Sequence, residues 1–399
     1  MPKFIHITPN EMMLKGLQLG EKLYNTGFRP KHAISIWRGG TTVGLFVDAY
    51  FRSRGLSINH TTIATESYTG IGQQSDVRVK GLEHVVRTVC REDGLLILDD
   101  VYESGNTIRA ITETLHERAR ANAPERIMVG TIHRKPDKMA YTGADVRFLD
   151  DVPGDTWIDY PHELADMVTG DPSDPFIKEK DPRIWETIRQ DRFEPTDESP
   201  DARYRYVSPD ELMLDALKLG VNVFHDTSFH PHFIVALWPG GVSCGLPVHE
   251  VYKYKMAKSG QDRPVPDHIS LNTMPSRLSY VNDVIGLDYL AEKVNSNHNV
   301  LIVDTTFKSG RLVNSALTRL KEVLRRNLDL KRVRVASLYW NPDDDATWTA
   351  QPLFRKPHYY IKKVCGEVVY PHAIHRLRNA REELRALDPA IYRVLFPAD

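Results

Sequence analysis

Cysteine is scarce in this sequence: its 399 residues include only Cys90, Cys244 and Cys365, which lie far apart and are odd in number. This pattern excludes a disulfide framework and a zinc site built from paired cysteines. No apolar run approaches the length of a membrane span, and the first residues lack the apolar stretch of a signal peptide. We therefore expect a cytoplasmic protein in a reducing setting, without a membrane partner.

The sequence also has no large excess of positive or negative charge. The 52 Lys and Arg residues balance the 53 Asp and Glu residues to a net charge of -1, which removes the global electrostatic argument for binding nucleic acid. The hydrophobic share of 41%, with 24 Gly and 25 Pro, is typical of soluble globular proteins. The length predicts two domains.

The sequence contains an internal repeat. Residues 8–14 read TPNEMML and residues 208–214 read SPDELML, and both segments predict a helix that begins with a capping box. Further matching pairs follow in the same order: WRGG at 37–40 with WPGG at 238–241, LLILDD at 95–100 with VLIVDT at 300–305, and IDYPH at 158–162 with VVYPH at 368–372. We interpret this as a tandem duplication that spans nearly the whole of both halves.

Short apolar strands alternate with helical periodicity in each half, which predicts two α/β domains, each with a mainly parallel sheet flanked by helices. Residues 169–203 combine several prolines with many acids, a composition typical of a linker, with one short helix around Trp185. We therefore expect a first domain at 1–168, a linker at 169–203 and a second domain at 204–399.

One predicted strand ends in two aspartates. Asp99 and Asp100 follow an apolar run, and the small hydroxyl-and-glycine loop 104–107 then leads into a predicted helix. Carboxylates can hold sugar hydroxyls, and free N–H groups at a helix N-terminus favour an anion. This order suits a phosphorylated ribose, with the acids at the 2′ and 3′ hydroxyls and the loop around the 5′-phosphate.

The segment 96–107 resembles the ribose-phosphate motif of type I phosphoribosyltransferases, and other segments resemble the 6-oxopurine branch of that family. Tyr102 and Glu103 depart from it, because a small aliphatic residue and Asp are usual there. The resemblance implies a small hood region beside each sheet. It also implies transfer of 5-phosphoribose from 5-phosphoribosyl diphosphate to a purine base, with Mg²⁺ as cofactor and loss of diphosphate.

The same resemblance implies roles for individual residues. Glu103 takes the position of the general base, and residues 67–80 resemble a mobile catalytic loop. Lys135 faces the purine O6, Trp157 stacks on the base, and the Ile158 backbone reads the base edge. Magnesium is assigned to Asp99, Asp100 and Glu163. The implied donor-binding residues are Arg38, Gly39, Gly40, Asp99, Asp100, Glu103, Ser104, Gly105, Asn106 and Thr107.

The second half keeps the framework but changes the implied site residues together. The replacements are Arg38 by Pro239, Asp100 by Thr305, Glu103 by Lys308, Thr107 by Leu312, Lys135 by Asn341, Trp157 by Glu367 and Glu163 by Ala373. We therefore expect a non-catalytic second domain that completes an intramolecular pseudo-dimer or supports a homodimer. A regulatory anion site at 308–311 is a separate hypothesis.

Two alternatives to a purine phosphoribosyltransferase remain. One is a regulator that binds phosphoribosyl diphosphate without turnover. It would need neither the base-reading Lys135 nor the stacking Trp157. The other is an enzyme of specialised metabolism that uses an unusual heterocycle as acceptor, for which the departures at Tyr102 and Glu103 leave room.

Overall fold

The structure is a computed structural model that describes residues 3–67, 77–164, 175–198, 204–260, 263–272, 284–342, 352–377 and 379–397. The chain divides into two compact units. The first comprises Met1–Tyr160 and His372–Asp399, and the second comprises Pro161–Pro371. No helix in the described ranges is long and apolar enough to cross a membrane.

The first unit is built on a six-stranded sheet, in which all neighbouring strands are parallel except one antiparallel pair. A separate parallel pair of short strands joins the beginning of the chain to residues near 158. The strands are β1 (Lys3–His6), β2 (His32–Trp37), β3 (Asn59–Ser67), β4 (Val77–Lys80), β5 (Gly94–Tyr102), β6 (Arg126–Arg134), β7 (Asp145–Asp151) and β8 (Thr156–Asp159). The sheet order is β4-β3-β2-β5-β6-β7, and β1 pairs with β8.

Helices cover this sheet, and the two that the sequence predicts in this unit, from residues 8–14 and after the loop 104–107, are present. They are α1 (Pro9–Asn25), α2 (Gly39–Ser53), α3 (Glu83–Thr88) and α4 (Asn106–Ala119). The predicted capping box is present: the Glu11 N–H donates to Thr8 Oγ1, and the Thr8 N–H donates to the Glu11 carboxylate over 2.8 Å. Because these bonds satisfy N–H groups that a helix start leaves without partners, α1 begins at Pro9.

The second unit has a fully parallel six-stranded sheet and its own small strand pair. Its helices are α5 (Pro175–Lys180), α6 (Pro182–Ile188), α7 (Pro209–Phe224), α8 (Val242–Ser259), α9 (Leu287–Lys293) and α10 (Arg311–Leu324). Its strands are β9 (Thr196–Glu198), β10 (Tyr204–Tyr206), β11 (Phe233–Trp238), β12 (Asp267–Asn272), β13 (Val300–Phe307), β14 (Val333–Trp340), β15 (Lys362–Val364) and β16 (Glu367–Val369). The sheet order is β12-β11-β13-β14-β15-β9, and β10 pairs with β16.

Two α/β units with parallel sheets flanked by helices confirm the fold class expected from the sequence. In both sheets the strand that carries Asp99 or Asp304 near its carboxyl end lies between two parallel neighbours. Its carboxyl end therefore lies at an inner position of the sheet edge, where open α/β sheets bind ligands.

The segment expected to be a linker is partly folded. It contains the short helix expected around Trp185, α6, whose Ile184, Trp185 and Ile188 pack in a buried cluster with Leu217 of α7. It also contains β9, which adds an edge strand beside β15. The proline-rich composition predicts an exposed linker, but α6 has an apolar face. Burial of this face stabilises the packed helix.

The end of the chain also lies elsewhere than expected. Residues 372–399 belong to the first unit, although we expected 204–399 to form one domain. Helices α11 (Ala380–Leu387) and α12 (Pro389–Leu395) follow the second unit in sequence, and α12 packs against α1. The Arg54 guanidinium donates to the Leu395 carbonyl over 3.0 Å.

Candidate functional site

The two acids predicted to hold a sugar stand at the carboxyl end of β5. Asp99 pairs with Thr131 of β6, so its strand is still within the sheet when it delivers the carboxylates. Leu95, Leu96, Ile97 and Leu98 before them are fully buried, which is why the apolar run ends there. Both acids keep partial exposure, as a ligand-binding carboxylate requires.

The Gly39–Gly40 segment, which is expected to bind the donor, lies directly against these acids. A Cβ added to Gly39 would stand 1.7 Å from Asp100 Oδ2, and one added to Gly40 would stand 2.4 Å from the Leu98 carbonyl oxygen. The same Cβ would stand 3.1 Å from Asp99 Oδ1, so the Gly40 backbone also lies against the Asp99 carboxyl. Only glycine permits this close approach, so the structure brings together two segments that are about 60 residues apart in sequence.

Charges at this junction perturb both carboxyl groups. Loss of hydration raises the pKa of Asp99, and the negative charge of Asp100 raises this pKa further. Loss of hydration raises the pKa of Asp100 to about 6, although the Val101 N–H and the positive charge of Arg38 act in the opposite direction. The pair is therefore placed where a cation or hydroxyl donors would stabilise its charged form.

The loop after β5 is shaped by Tyr102. Its ring is buried, its hydroxyl donates to the Tyr141 carbonyl over 2.7 Å, and a Cβ on Gly105 would stand 2.4 Å from the hydroxyl oxygen. Gly105 has a φ of 76°, and α4 begins at the next residue. The Asn106 N–H donates to Ser104 Oγ over 3.3 Å. Tyr102 thus packs against the loop at Gly105. The tyrosine has a structural role at a position where a small residue is expected.

Glu103 faces two lysines. Lys135 Nζ lies 3.5 Å from its Oε2, and Lys138 Nζ lies 3.6 Å from its Oε1. Lys135 is almost fully buried, whereas the Glu103 side chain is 42% exposed. The structure therefore places the predicted general base beside the predicted base-reading cation. Sequence reasoning missed Lys138, which stands in a polar loop without a motif of its own.

The remaining predicted residues fall in different places. Trp157 of β8 is 44% exposed, while Ile158 is buried. Glu163 belongs to the second unit, where its carbonyl accepts from Lys180 over 3.0 Å. Of the predicted mobile loop 67–80, residues 68–76 lie outside the described part of the chain.

Sequence reasoning also missed Tyr160. Its hydroxyl donates to the Asp100 carbonyl over 3.0 Å and lies 2.8 Å from His133 Nδ1. Loss of hydration lowers the pKa of His133 to about 4, so its ring is neutral at pH 7. The signal was available, because Tyr160 recurs as Tyr370 in the repeat. The repeat alone does not show that Tyr160 contacts the strand end that carries the acids.

Asp99 and Asp100 offer carboxylate oxygens as possible ligands of a metal ion. In the ranges that the structure describes, no group of three or more His, Cys, Asp or Glu side chains is arranged to hold a metal ion. Mg²⁺ usually keeps several waters and is bound by one or two carboxylates together with substrate phosphates. Asp99 and Asp100 fit a magnesium ion that arrives with a diphosphate, and they do not form a cage for a resident ion.

The corresponding place in the second unit keeps several of these contacts and Asp304, but has Pro239 and Thr305 in place of Arg38 and Asp100. The Tyr370 hydroxyl donates to the Thr305 carbonyl over 3.2 Å, as Tyr160 does to Asp100. The peptide bonds Trp37–Arg38 and Trp238–Pro239 are both cis. Asp304 is buried there, and its Oδ1 accepts from the Thr305 N–H over 2.8 Å.

Comparison with known proteins gives the following similarities. The chain is 31% identical over 135 residues to a xanthine-guanine phosphoribosyltransferase of Idiomarina loihiensis, which covers 34% of this chain and 71% of that protein. A solved structure of a hypothetical protein from Neisseria gonorrhoeae with bound ppGpp is 23% identical and covers 42% of this chain and 92% of that one, with a TM-score of 0.35. The purine phosphoribosyltransferase of Pyrococcus horikoshii is 19% identical and covers 40% and 93%, with a TM-score of 0.32. No protein-family model matches the chain.

Proposed function

Because the chain belongs to the type I phosphoribosyltransferase family, we propose that its first unit transfers 5-phosphoribose from 5-phosphoribosyl diphosphate to a 6-oxopurine base and releases diphosphate. One observation carries the proposal: Asp99 and Asp100 meet the Gly39–Gly40 backbone and the charge of Arg38 at one sheet edge. Each group matches a different part of the donor.

The donor is held at both ends in this arrangement. Asp99 and Asp100 accept hydrogen bonds from the ribose hydroxyls, and the loop 104–107 offers the N–H groups at the start of α4 to the 5′-phosphate. Arg38 and the N–H groups of Gly39 and Gly40 bind the departing diphosphate. Bound Mg²⁺ would neutralise charge on this leaving group, through phosphate oxygens and the two acids.

The acceptor base is recognised by the Lys135 ammonium and the Trp157 ring. The Lys135 ammonium donates hydrogen bonds only, so it accepts a 6-oxo group and disfavours a 6-amino group. The exposed Trp157 side chain covers the base. Glu103, 3.5 Å from Lys135, takes the proton at the acceptor nitrogen as the new bond to carbon 1 of the ribose forms.

We propose that the second unit is non-catalytic and has a structural role. Proline at 239 removes the diphosphate cation, and Lys308 replaces an acid beside the former sugar site. The Asn341 side chain, at the position of Lys135, donates to the Gly366 carbonyl over 2.7 Å. The neutral amide of Asn341 therefore stands where the first unit has the positive charge of Lys135.

The test is diphosphate release with Mg²⁺, the ribosyl donor and each of guanine, xanthine, hypoxanthine and adenine. We expect turnover with at least one 6-oxopurine and none with adenine. Asp100→Asn is expected to lower kcat/KM by about a thousandfold or more, whereas the matched Asp304→Asn leaves it nearly unchanged. Donor binding without release in any of the four reactions would support the regulator instead, and equal loss in both variants would refute the inactive second unit.

A further inference from the structure

A cavity of about 510 Å³ in the second unit belongs to none of the motifs described above. It is lined from the C-terminal ends of α6, α7 and α8. After α7 ends at Phe224 the chain enters β11 at Phe233, so the cavity lies toward the amino ends of the strands. This is the opposite edge from the carboxyl ends of the strands, where open α/β sheets bind ligands, and the volume falls within the range of about 300–1,000 Å³ for small-molecule sites.

The lining is positively charged. Four of the described lining residues are basic, namely Arg189, Lys255, Lys258 and Arg263, and no described lining residue is an acid. Three acids lie near the lining. Asp226, which acts on His230, is paired with Arg334 outside the lining. Glu186 lies 3.9 Å from Arg189 with both side chains more than half exposed, and Asp191, 3.7 Å from His225, is 90% exposed. Such a surplus in a concave site favours an anionic ligand.

Two of these cations are hydrogen-bonded to neutral groups in the described structure. Lys255 Nζ donates to His225 Nε2 over 2.9 Å and to the Gln190 carbonyl over 3.1 Å. Arg263 Nη1 donates to His230 Nε2 over 2.5 Å. Burial, and then the adjacent cation, lower the pKa of both histidines, so their rings are neutral acceptors at pH 7. These bonds orient the ammonium and the guanidinium without cancelling their charges.

Three aromatic rings complete the cavity. Trp185 and Tyr254 are each 6% exposed, and Phe224 is partly exposed. Arg189 lies 5.5 Å from the Trp185 ring centre, and Lys258 lies 5.8 Å from that of Tyr254. An apolar floor beside fixed cations suits a ligand with a planar body and a phosphorylated end.

We propose that this cavity binds a phosphorylated small molecule with a planar ring, of mononucleotide size. A volume of this size favours such a compact ligand over an extended acidic peptide. This inference goes beyond the transferase proposal, because it concerns other residues and requires no turnover.

The test uses the full chain with the first unit's site disabled by Arg38→Gln and Asp100→Asn, so that binding there does not obscure the result. GMP, AMP, guanosine, inorganic phosphate and a phosphorylated peptide are titrated by calorimetry. We expect a mononucleotide to bind with one site per chain. Adding Lys255→Gln and Arg263→Gln is expected to weaken binding by about tenfold or more. The matched control, Lys321→Gln with Arg326→Gln, removes two exposed cations from outside the cavity and leaves binding unchanged.

Several outcomes would overturn the proposal. They are absence of nucleotide binding in the disabled chain, equal affinity in the two charge variants, inorganic phosphate binding as tightly as GMP, and binding of the peptide alone. Arg263→Gln by itself serves as the second variant if the double variant fails to fold, because Arg263 is exposed. Circular dichroism confirms folding of each variant before titration.

Discussion

Lys15 and Asp150 form an ion pair in the first unit, and Asp215 and Lys362 form one at the matching place in the second unit with the signs exchanged. Strand pairing establishes the match. His133 on β6 pairs with Asp150, and Tyr339, at the equivalent position of β14, pairs with Lys362. A framework contact has therefore been kept although both of its residues changed, which favours a common origin for the two units.

The implied site residues behave differently. Arg38 and Asp100 become Pro239 and Thr305 without an exchange of sign. The Asp100 carboxyl interacts with the charge of Arg38 in the first unit. Loss of both charges in the second unit leaves a neutral pair. The difference teaches that the second unit preserves a contact that holds the sheet but not the charges found at Arg38 and Asp100.

A buried polar contact shows the same contrast. Ser35 Oγ lies 2.7 Å from His60 Nε2 between β2 and β3, and Asp48 of α2 lies 4.0 Å from His60 Nδ1. All three are essentially inaccessible, which excludes substrate access to this Ser, His and Asp set. In the second unit Ala236, His268 and His249 take these positions, and the two imidazole rings lie 4.3 Å apart.

The largest expected difference between the units comes from a matched pair of glycines. Gly40→Ala places a Cβ 2.4 Å from the Leu98 carbonyl, and Gly241→Ala places one 2.3 Å from the Val303 carbonyl. Both changes must shift backbone, but only the first shifts the proposed donor site. We expect kcat/KM to fall by about a thousandfold in the first variant and by less than about threefold in the second. Comparable loss in both would show that the second unit contributes to catalysis.

The exchanged ion pair predicts unequal stability effects. The Asp215 side chain is 1% exposed and Lys362 Nζ lies 2.9 Å away, whereas Asp150 is 48% exposed. Asp215→Ala leaves a largely buried lysine without this partner and should cost about 3 kcal/mol, while Asp150→Ala should cost less than about 1 kcal/mol. Urea denaturation followed by circular dichroism measures both values. A larger cost for Asp150→Ala would mean that exposure does not set the strength of this pair.

Acid should destabilise the first unit through His60. Burial lowers its pKa to about 3 in the folded state, against 6.5 when it is exposed. The unfolded chain therefore binds a proton first, so the free energy of unfolding falls as the pH decreases from about 6.5 towards 3, by up to about 1.4 kcal/mol per pH unit. The raised pKa of buried Asp48 opposes this trend at the acid end.

The measurement compares wild type with His60→Gln in urea at several pH values between 7 and 5. The variant should show a flatter pH dependence, whatever its absolute stability. An identical slope in the two proteins would contradict a neutral, buried His60.

The smallest effects are expected at the paired tyrosines. Tyr160→Phe removes the hydroxyl that donates to the Asp100 carbonyl, and Tyr370→Phe removes the one that donates to Thr305. Each should cost about 1 kcal/mol of stability. Only Tyr160→Phe should also lower kcat/KM, by about tenfold or less, because it supports the strand end that carries the acids. Unchanged activity in both variants would leave Tyr160 a purely structural residue.

Local signals in the sequence predicted much of the fold and of the site. The capping residues at 8–11 predicted the start of α1, and the apolar run before Asp99 predicted β5, because both depend on neighbours in the chain. The glycine pair at 39–40 predicted a close approach but not its target. That target, Asp100, is a neighbour only in three dimensions.

The amino-acid sequence by itself determined the order of the predicted strands and helices, the repeat and the family motifs. Each of these features depends on residues that are neighbours in the chain. Tertiary structure alone decided that residues 372–399 join the first unit, that β9 extends the second sheet, and that Lys138 and Tyr160 stand beside the candidate site. The physical reason is that burial and long-range hydrogen bonds select partners by position in space, and no local pattern records which distant surface a segment will cover.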